Sequence, residues 1–283
     1  MRTVQRTFYP GDNWVYFKIY AGYKVSEEIL ITALFPLMRK WMREKVIVKW
    51  FFIRYRDTDY HIRLRMYLND TTRLGDIINI IHAKTKGYRQ PSLLNDLNIA
   101  TYNRELERYG TQYIDFSESL FCIDSECILS CIKYLNKKNE DYRWMISFKL
   151  IDAFLNDIGY DMDNKLACME QMNKSYRAEF GYNKYNAKQL NELYRIRKPS
   201  ISLVLQKADE NRDIKEIIKI IDKRSAEIHS LCTGLDFPAN NTTSYIHMMM
   251  NRLFRSDPRL HELLVYEFLH RYYKSEKAQI IHK

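Results

Sequence analysis

Apolar and polar residues alternate along two segments in the first 70 residues, which is typical of β-strands. The first is residues 14–20, WVYFKIY. The second is residues 61–68, HIRLRMYL, which follows a β-rich run at 46–55 and a polar turn at 57–59. The run, the turn and the alternating segment together predict a β-hairpin.

A helical spacing of apolar residues lies between these strands. In residues 26–43 the apolar positions recur every three or four residues, so this segment is predicted to be a helix. Ser26 is placed to cap its N-terminus, and Pro36 predicts a kink. Residues 72–84 are also predicted to be helical, and 97–103 form a candidate strand.

The rest of the chain has mainly helical spacing. Seven helices are predicted between residues 117 and 274, with Pro199 interrupting the fourth. The fold class predicted is α+β, with an N-terminal, mainly antiparallel β-sheet layer and a predominantly helical C-terminal part. We expect a single domain over 1–283, sheet-rich over about 1–115 and helical over about 116–283.

Composition excludes several classes of site. The chain has 283 residues and a net charge of +10, without a long basic run or a nucleic-acid-binding motif, so the charge suits an acidic group or peptide at least as well as a polynucleotide.

Five cysteines without a CxxC pair argue against a disulfide framework, and no stretch approaches eighteen apolar residues. We therefore expect a cytoplasmic protein with no membrane span. Since neither a glycine-rich phosphate loop nor a metal motif is present, we expect neither a cofactor nor a metal.

The first candidate for chemistry is HIRLR, residues 61–65. His61, Arg63 and Arg65 share one strand face, while the alternate positions are aliphatic. Two guanidinium groups held in this way can bind a carboxylate through paired hydrogen bonds. A solvated outer face with cross-strand charge pairs has the same pattern, so the alternation alone leaves both interpretations open.

The second candidate is ELER, residues 105–108. Glu105 and Arg108 are three residues apart and would be neighbours on a helix. The guanidinium would keep a catalytic carboxylate ionised. An ordinary surface ion pair would have the same spacing.

The third candidate is SYIHMMMNRLF, residues 244–254. On a helix, His247 and Asn251 share a face. A neutral histidine can accept a proton and a protonated one can donate it. A core histidine whose ring nitrogens are satisfied by a backbone or asparagine partner is the alternative.

Five segments taken in order resemble the C-terminal elimination domain of class I lanthipeptide dehydratases, also called the thiopeptide-type bacteriocin biosynthesis domain. They are GDNWVYFKIY, FFIRYRDTDYHIRLR, TYNRELERYG, LFCIDSE and SYIHMMMNRLF. The resemblance extends from about Trp14 to the last helix. It implies a lyase that expels glutamate from glutamylated Ser or Thr of a precursor peptide, leaving dehydroalanine or dehydrobutyrine. The chain is too short to include the family's glutamylation domain, so we expect the stand-alone form.

The resemblance also implies roles for individual residues. The catalytic set consists of His247, Arg65, Arg108 and Glu105. The substrate-binding set consists of Arg63, His61, Asn251 and Arg252. Arg65 and Arg108 are expected to hold the glutamyl group or the enolate, with Arg63 assisting, and His247 to be the acid or base. Glu105 would orient Arg108 or take the proton, and Arg65, Arg108 and His247 are expected to share one cavity.

The expected partners follow from the same resemblance. They are the glutamylated precursor peptide, a separate glutamyl-tRNA-dependent glutamylation protein and, as a further candidate, a cyclase; no direct contact with nucleic acid is expected. Two alternatives remain open. One is a pyridine synthase that joins two dehydroalanines by cycloaddition, and the other is a non-catalytic partner that binds the precursor peptide. Nucleic-acid binding is supported by net charge alone.

Overall fold

The computed structural model describes residues 4–90, 93–135, 141–206 and 211–281. It divides into two compact units, Met1–Lys133 and Tyr134–Lys283. The first unit contains both β-sheets, and the second is helical. The α+β fold predicted from the sequence is therefore confirmed.

Antiparallel strands form the two sheets of the first unit. The four-stranded sheet has the order β3-β4-β2-β5, and the two-stranded sheet pairs β1 with β6. The strands are β1 (Thr7–Phe8), β2 (Trp14–Ala21), β3 (Ile47–Arg56), β4 (Tyr60–Leu68), β5 (Leu94–Ala100) and β6 (Tyr102–Asn103). The predicted hairpin is confirmed as β3 and β4, joined at Asp57–Asp59.

Strands β2 and β4 bury an apolar face of the four-stranded sheet. Residues of β2 and β4 meet there in register, as in the pairs Phe17–Leu64 and Ile19–Ile62. Because strand side chains alternate, burial of this face fixes the direction of the side chains on the opposite face of β4.

The first helical segment differs from its prediction. It consists of α1 (Tyr23–Glu28), a π-helical stretch (Ile29–Leu34) and α2 (Phe35–Arg43). Ser26 is not the N-cap, because the helix begins one turn earlier after Gly22. The buried Ser26 hydroxyl instead donates to the carbonyl oxygen of Ala21 at 2.9 Å. The predicted kink near Pro36 is this π-helical stretch, which lies directly before α2. Pro36 itself lies in the first turn of α2, where the missing backbone N–H is tolerated.

The remaining helices follow the predicted order. The first unit contains α3 (Leu74–Thr85), α4 (Leu106–Tyr109) and most of α5 (Ile114–Leu135). The second unit contains α6 (Asp141–Asp157), α7 (Met162–Glu179), α8 (Lys184–Gln206), α9 (Arg212–Cys232), α10 (Thr242–Leu253) and α11 (Pro258–Ile281).

Pro199 does not interrupt its helix, contrary to the sequence expectation. It lies inside α8, which continues to Gln206 and buries Ile201 and Val204 beyond the proline. Burial of these side chains offsets the backbone hydrogen bond that the proline cannot donate. Within the described ranges, the helices include none that is both long and apolar enough to cross a bilayer.

Candidate functional site

The HIRLR face of β4 lies between tyrosines and another cation. The register of β2 places Tyr20, Lys18 and Tyr16 beside His61, Arg63 and Arg65, respectively. On the other side β3 contributes Tyr55, Ile53 and Phe51 in the same order. Three cations and several aromatic rings are therefore gathered on one face of the sheet.

Arg65 is a buried cation enclosed by aromatic rings. Its side chain is 7% exposed, and its guanidinium carbon lies 4.5 Å from the ring centre of Tyr16, 4.8 Å from that of Tyr102 and 5.3 Å from that of Phe51. Among the described residues the guanidinium has neither a hydrogen-bond acceptor nor an ion-pair partner, and its Nε is buried. Burial lowers the pKa of Arg65, but an arginine remains protonated at neutral pH. A buried cation without an acceptor is costly, and this arrangement is preorganised for an anion.

His61 and Arg63 orient each other beside Arg65. The Nε of Arg63 donates to Nε2 of His61 at 3.1 Å, and the guanidinium stacks 3.4 Å from the ring centre of Tyr55. Nδ1 of His61 lies 3.0 Å from the carbonyl oxygen of Asp59. Burial, together with the charge of Arg63, lowers the pKa of His61, so the ring is neutral with its proton on Nδ1. The solvated-face interpretation is wrong for His61 and Arg65, which are both buried.

Glu105 and Arg108 form an exposed ion pair in the same unit. Nη1 of Arg108 lies 3.1 Å from Oε2 of Glu105, and the two side chains are 49% and 57% exposed, respectively. Glu105 is the N-cap residue of α4, and Gly110 ends this helix with φ of +77°. The negative charge of Glu105 raises the pKa of Arg65, against the larger effect of burial, so the ion pair lies within electrostatic range of Arg65.

Arg104 supports the aromatic enclosure of Arg65, and the sequence analysis missed it. Its guanidinium donates to both oxygens of the buried Glu118, at 2.8 and 2.6 Å. The hydroxyl of Tyr102 donates to Oε1 of Glu118 at 3.0 Å. Burial and the charge of Glu118 raise the pKa of Tyr102, so this ring remains a neutral wall of the enclosure. Arg104 lies directly before the ELER segment, but nothing in the local spacing shows that its partner lies on α5.

His247 lies on α10 of the second unit and contacts a buried carboxylate. Its Nδ1 is 2.9 Å from Oε2 and 3.1 Å from Oε1 of Glu262 on α11. The side chain of His247 is 33% exposed, whereas that of Glu262 is fully buried. Glu262 was missed by the sequence analysis because it belongs to the next helix, fifteen residues further along the chain.

Asn251 and Arg252 follow His247 on α10. Asn251 is partly buried, one helical turn beyond the histidine. Arg252 is fully buried, and its Nη1 donates to the carbonyl oxygen of Met248 at 2.9 Å. Their contacts with a substrate stay predictions.

The predicted site residues are thus divided between the units. The first unit holds His61, Arg63, Arg65, Glu105 and Arg108, and the second holds His247, Asn251 and Arg252. Across the parts of the chain that the structure describes, no group of three or more His, Cys, Asp or Glu side chains is arranged to hold a metal ion.

Two curated relatives resemble this chain in sequence. The nisin biosynthesis protein NisB of Lactococcus lactis subsp. lactis is 29% identical over 140 residues, which covers 47% of this chain and 13% of NisB. The subtilin biosynthesis protein SpaB of Bacillus subtilis is 25% identical over 262 residues, which covers 89% of this chain and 24% of SpaB. The chain therefore matches less than a quarter of the length of either relative.

Solved structures share the fold at lower identity. The tRNA-dependent lantibiotic dehydratase MibB from Microbispora sp. 107891 superposes with a TM-score of 0.75 at 19% identity, over 97% of this chain and 29% of its own. TsrL gives a TM-score of 0.68 at 10% identity, over 94% of this chain and 95% of its own. The pyridine synthase TbtD from thiomuracin biosynthesis gives 0.62 at 10% identity, over 95% of this chain and all of its own.

The family model described as the C-terminal part of lantibiotic biosynthesis dehydratases matches residues 14–273. This range covers most of each unit and includes all eight predicted site residues. The chain therefore belongs to the lantibiotic biosynthesis dehydratase C-terminal family.

Proposed function

We propose that this protein is a lyase that eliminates glutamate from glutamylated Ser or Thr of a ribosomal precursor peptide. The observation that carries the proposal is Arg65, a cation buried among aromatic rings without an acceptor among the described residues. A glutamyl carboxylate or an enolate oxygen would supply the missing acceptor. Membership of the dehydratase family supports this choice of anion.

The reaction breaks two bonds and forms one double bond. A base takes the proton from Cα of the modified residue, and the electron pair forms the Cα=Cβ bond. The Cβ–O bond breaks, and its electrons leave with glutamate as a carboxylate. The products are dehydroalanine from Ser or dehydrobutyrine from Thr, together with free glutamate, and no oxidant or metal is required.

Each predicted residue has a role in this scheme. Arg65 and Arg108 bind the glutamyl carboxylate or the enolate oxygen, where a fixed donor contributes about 3–4 kcal/mol to the transition state. His61 holds Arg63, which assists them. Glu105 orients Arg108 through their ion pair. His247 transfers the proton, and Asn251 and Arg252 contact the substrate.

The partners proposed are a glutamylated precursor peptide and a separate glutamyl-tRNA-dependent protein that glutamylates it. The tRNA-dependent lantibiotic dehydratase MibB extends well beyond the part of its structure that this chain matches. A cyclase that consumes the dehydrated peptide is a further candidate. We place the reaction in the cytoplasm, where thiols such as the five free cysteines stay reduced.

A pyridine synthase is the second candidate function. The superposition covers 95% of this chain and all of TbtD, so the similar length of the two chains favours a pyridine synthase. The presence of the Glu105–Arg108 pair and of His247 favours elimination, since a cycloaddition of two dehydroalanines has no glutamate to expel. A third possibility is a partner that only binds the precursor peptide.

One experiment separates the three. The full chain is mixed with a synthetic peptide carrying O-glutamyl serine and, separately, with a bis-dehydroalanine peptide, and the products are measured by mass spectrometry. We expect dehydroalanine and glutamate in equal amounts from the first peptide and no change in the second. Cyclisation of the second peptide without glutamate release from the first would identify a pyridine synthase, and binding without reaction would identify the non-catalytic partner.

His247→Ala provides the first mutational prediction. General acid or base catalysis contributes about 10²–10⁴-fold, so the rate of glutamate release should fall by that factor. The measurement is kcat on the O-glutamyl peptide, with circular dichroism to show that the variant is folded. An unchanged rate would remove His247 from the mechanism.

A further inference from the structure

A chain of hydrogen bonds ends on the inner ring nitrogen of His247. Nη1 of Arg259 donates to the hydroxyl of Tyr176 on α7, and this hydroxyl donates to Oε2 of Glu262. The hydroxyl of Tyr266 donates to the same oxygen at 3.2 Å. Glu262 in turn contacts Nδ1 of His247.

The neighbours of Glu262 are hydrogen-bond donors and a cation. Two tyrosine hydroxyls donate to it, and Nη1 of Arg259 lies 3.9 Å from Oε2. Burial beside Glu262 raises the pKa of both Tyr176 and Tyr266, so these hydroxyls keep their protons and remain donors. Glu262 is therefore the hydrogen-bond acceptor of this chain.

The protonation of His247 follows from this carboxylate. As the acceptor of this chain, Glu262 accepts a hydrogen bond from Nδ1 of His247 as well, so Nδ1 carries the proton. In the neutral ring the lone pair is then on Nε2. The side chain of His247 is partly exposed, so a substrate can reach the ring.

We infer that Glu262 is a positioning residue that makes His247 the base of the elimination, with Nε2 accepting the α-proton of the glutamylated residue. The inference rests on the proposed function and resolves the choice between acid and base. The departing glutamate leaves as a carboxylate, which is a weak base and gains little from protonation, whereas the carbon acid needs a base. Glu262 stabilises the imidazolium formed when the proton arrives, and the imidazolium then releases this proton to water.

The first arm of the test needs no enzyme activity. The imidazole nitrogens of the full wild-type chain, labelled with ¹⁵N at histidine, are observed by NMR under mildly alkaline conditions, and His247 is assigned from the signals lost in His247→Asn. We expect a protonated Nδ1 and an unprotonated Nε2. The opposite tautomer would overturn the inference.

The second arm compares two buried glutamates of α11. Glu267 is fully buried like Glu262 but pairs with Arg177 and Arg271 instead of a histidine. Glu262→Gln keeps the side-chain volume but offers an amide that can donate to Nδ1, which favours the wrong tautomer. We expect kcat to fall about 100-fold, with KM within about twofold of wild type. Glu267→Gln should retain both the kcat and the tautomer of wild type.

The two arms separate the inference from the function on which it rests. If wild type releases glutamate and Glu262→Gln retains kcat, the role of Glu262 is overturned and the lyase stands. If wild type releases no glutamate, the proposed function fails and the base role fails with it. If Glu262→Gln does not fold, the tautomer of His247 in the wild-type chain tests the role of Glu262.

Discussion

Two buried arginines on neighbouring strands have opposite surroundings. Arg54 on β3 is 3% exposed, and its guanidinium donates to Glu27 at 2.7 Å and to Tyr60 at 3.2 Å. Arg65 on β4 is 7% exposed and is surrounded by rings, without such an acceptor among the described residues. Arg54 is therefore a structural cation, whereas we propose that Arg65 binds a ligand.

Replacing each arginine with methionine separates these roles. In Arg65→Met the loss of cation–π contacts, about 0.5–2 kcal/mol, is offset by removal of an unsatisfied buried donor, worth about 1–3 kcal/mol. The free energy of unfolding should therefore stay within about 1 kcal/mol of wild type, while kcat/KM for glutamate release should fall about 10²–10³-fold. Arg54→Met leaves Glu27 buried without its cation and should lower the free energy of unfolding by about 3–5 kcal/mol. Denaturant unfolding measures both, and equal destabilisation would contradict a ligand role for Arg65.

At the scale of elements, α11 contains two buried glutamates with different partners. Its two fully buried glutamates, Glu262 and Glu267, lie five residues apart. Glu267 accepts hydrogen bonds from Arg177 on α7 and from Arg271 one turn further along α11. Burial opposes ionisation of Glu267, but these two guanidinium groups outweigh it and hold the pKa below its ordinary value of 4.5.

The lowered pKa of Glu267 predicts the direction of a pH effect. A carboxyl group whose pKa is lower in the folded state stabilises the fold fully above its unfolded pKa, and this contribution is lost as pH falls through the folded pKa. Glu267→Gln should therefore lower the free energy of unfolding by about 1–3 kcal/mol at neutral pH. The difference from wild type should shrink once the pH falls below about 4.5. Denaturant titrations across this range measure it, and a difference that grows on acidification would contradict the assignment.

The sequence predicted the elements better than it predicted their contacts. The hairpin and the direction of Arg63 and Arg65 followed from alternation, because strand geometry is local. The Ser26 cap failed because Gly22 begins the helix one turn earlier, and the break at Pro199 failed because burial beyond it holds the helix together. Glu262 could not be predicted, since its contact with His247 depends on how α10 packs against α11.

At the scale of the whole molecule, the site residues predicted from the sequence are found in both units. Arg65 and its aromatic enclosure belong to the first, and His247 with Glu262 belongs to the second. The net charge of +10 favours an anionic substrate over a cationic one and raises its local concentration. Order and spacing of five segments were enough to predict the family, whereas the aromatic enclosure and the hydrogen-bond chain became visible only in the fold.

The central claim is that Arg65 and His247 serve one elimination step, and a double-mutant cycle tests it most directly. kcat/KM for glutamate release from the O-glutamyl peptide is measured for wild type, Arg65→Met, His247→Ala and the double variant. Residues that act as a unit give strongly non-additive losses, so the double variant should be little slower than the slower single variant. Losses that multiply in full, or a single variant as fast as wild type, would contradict the account.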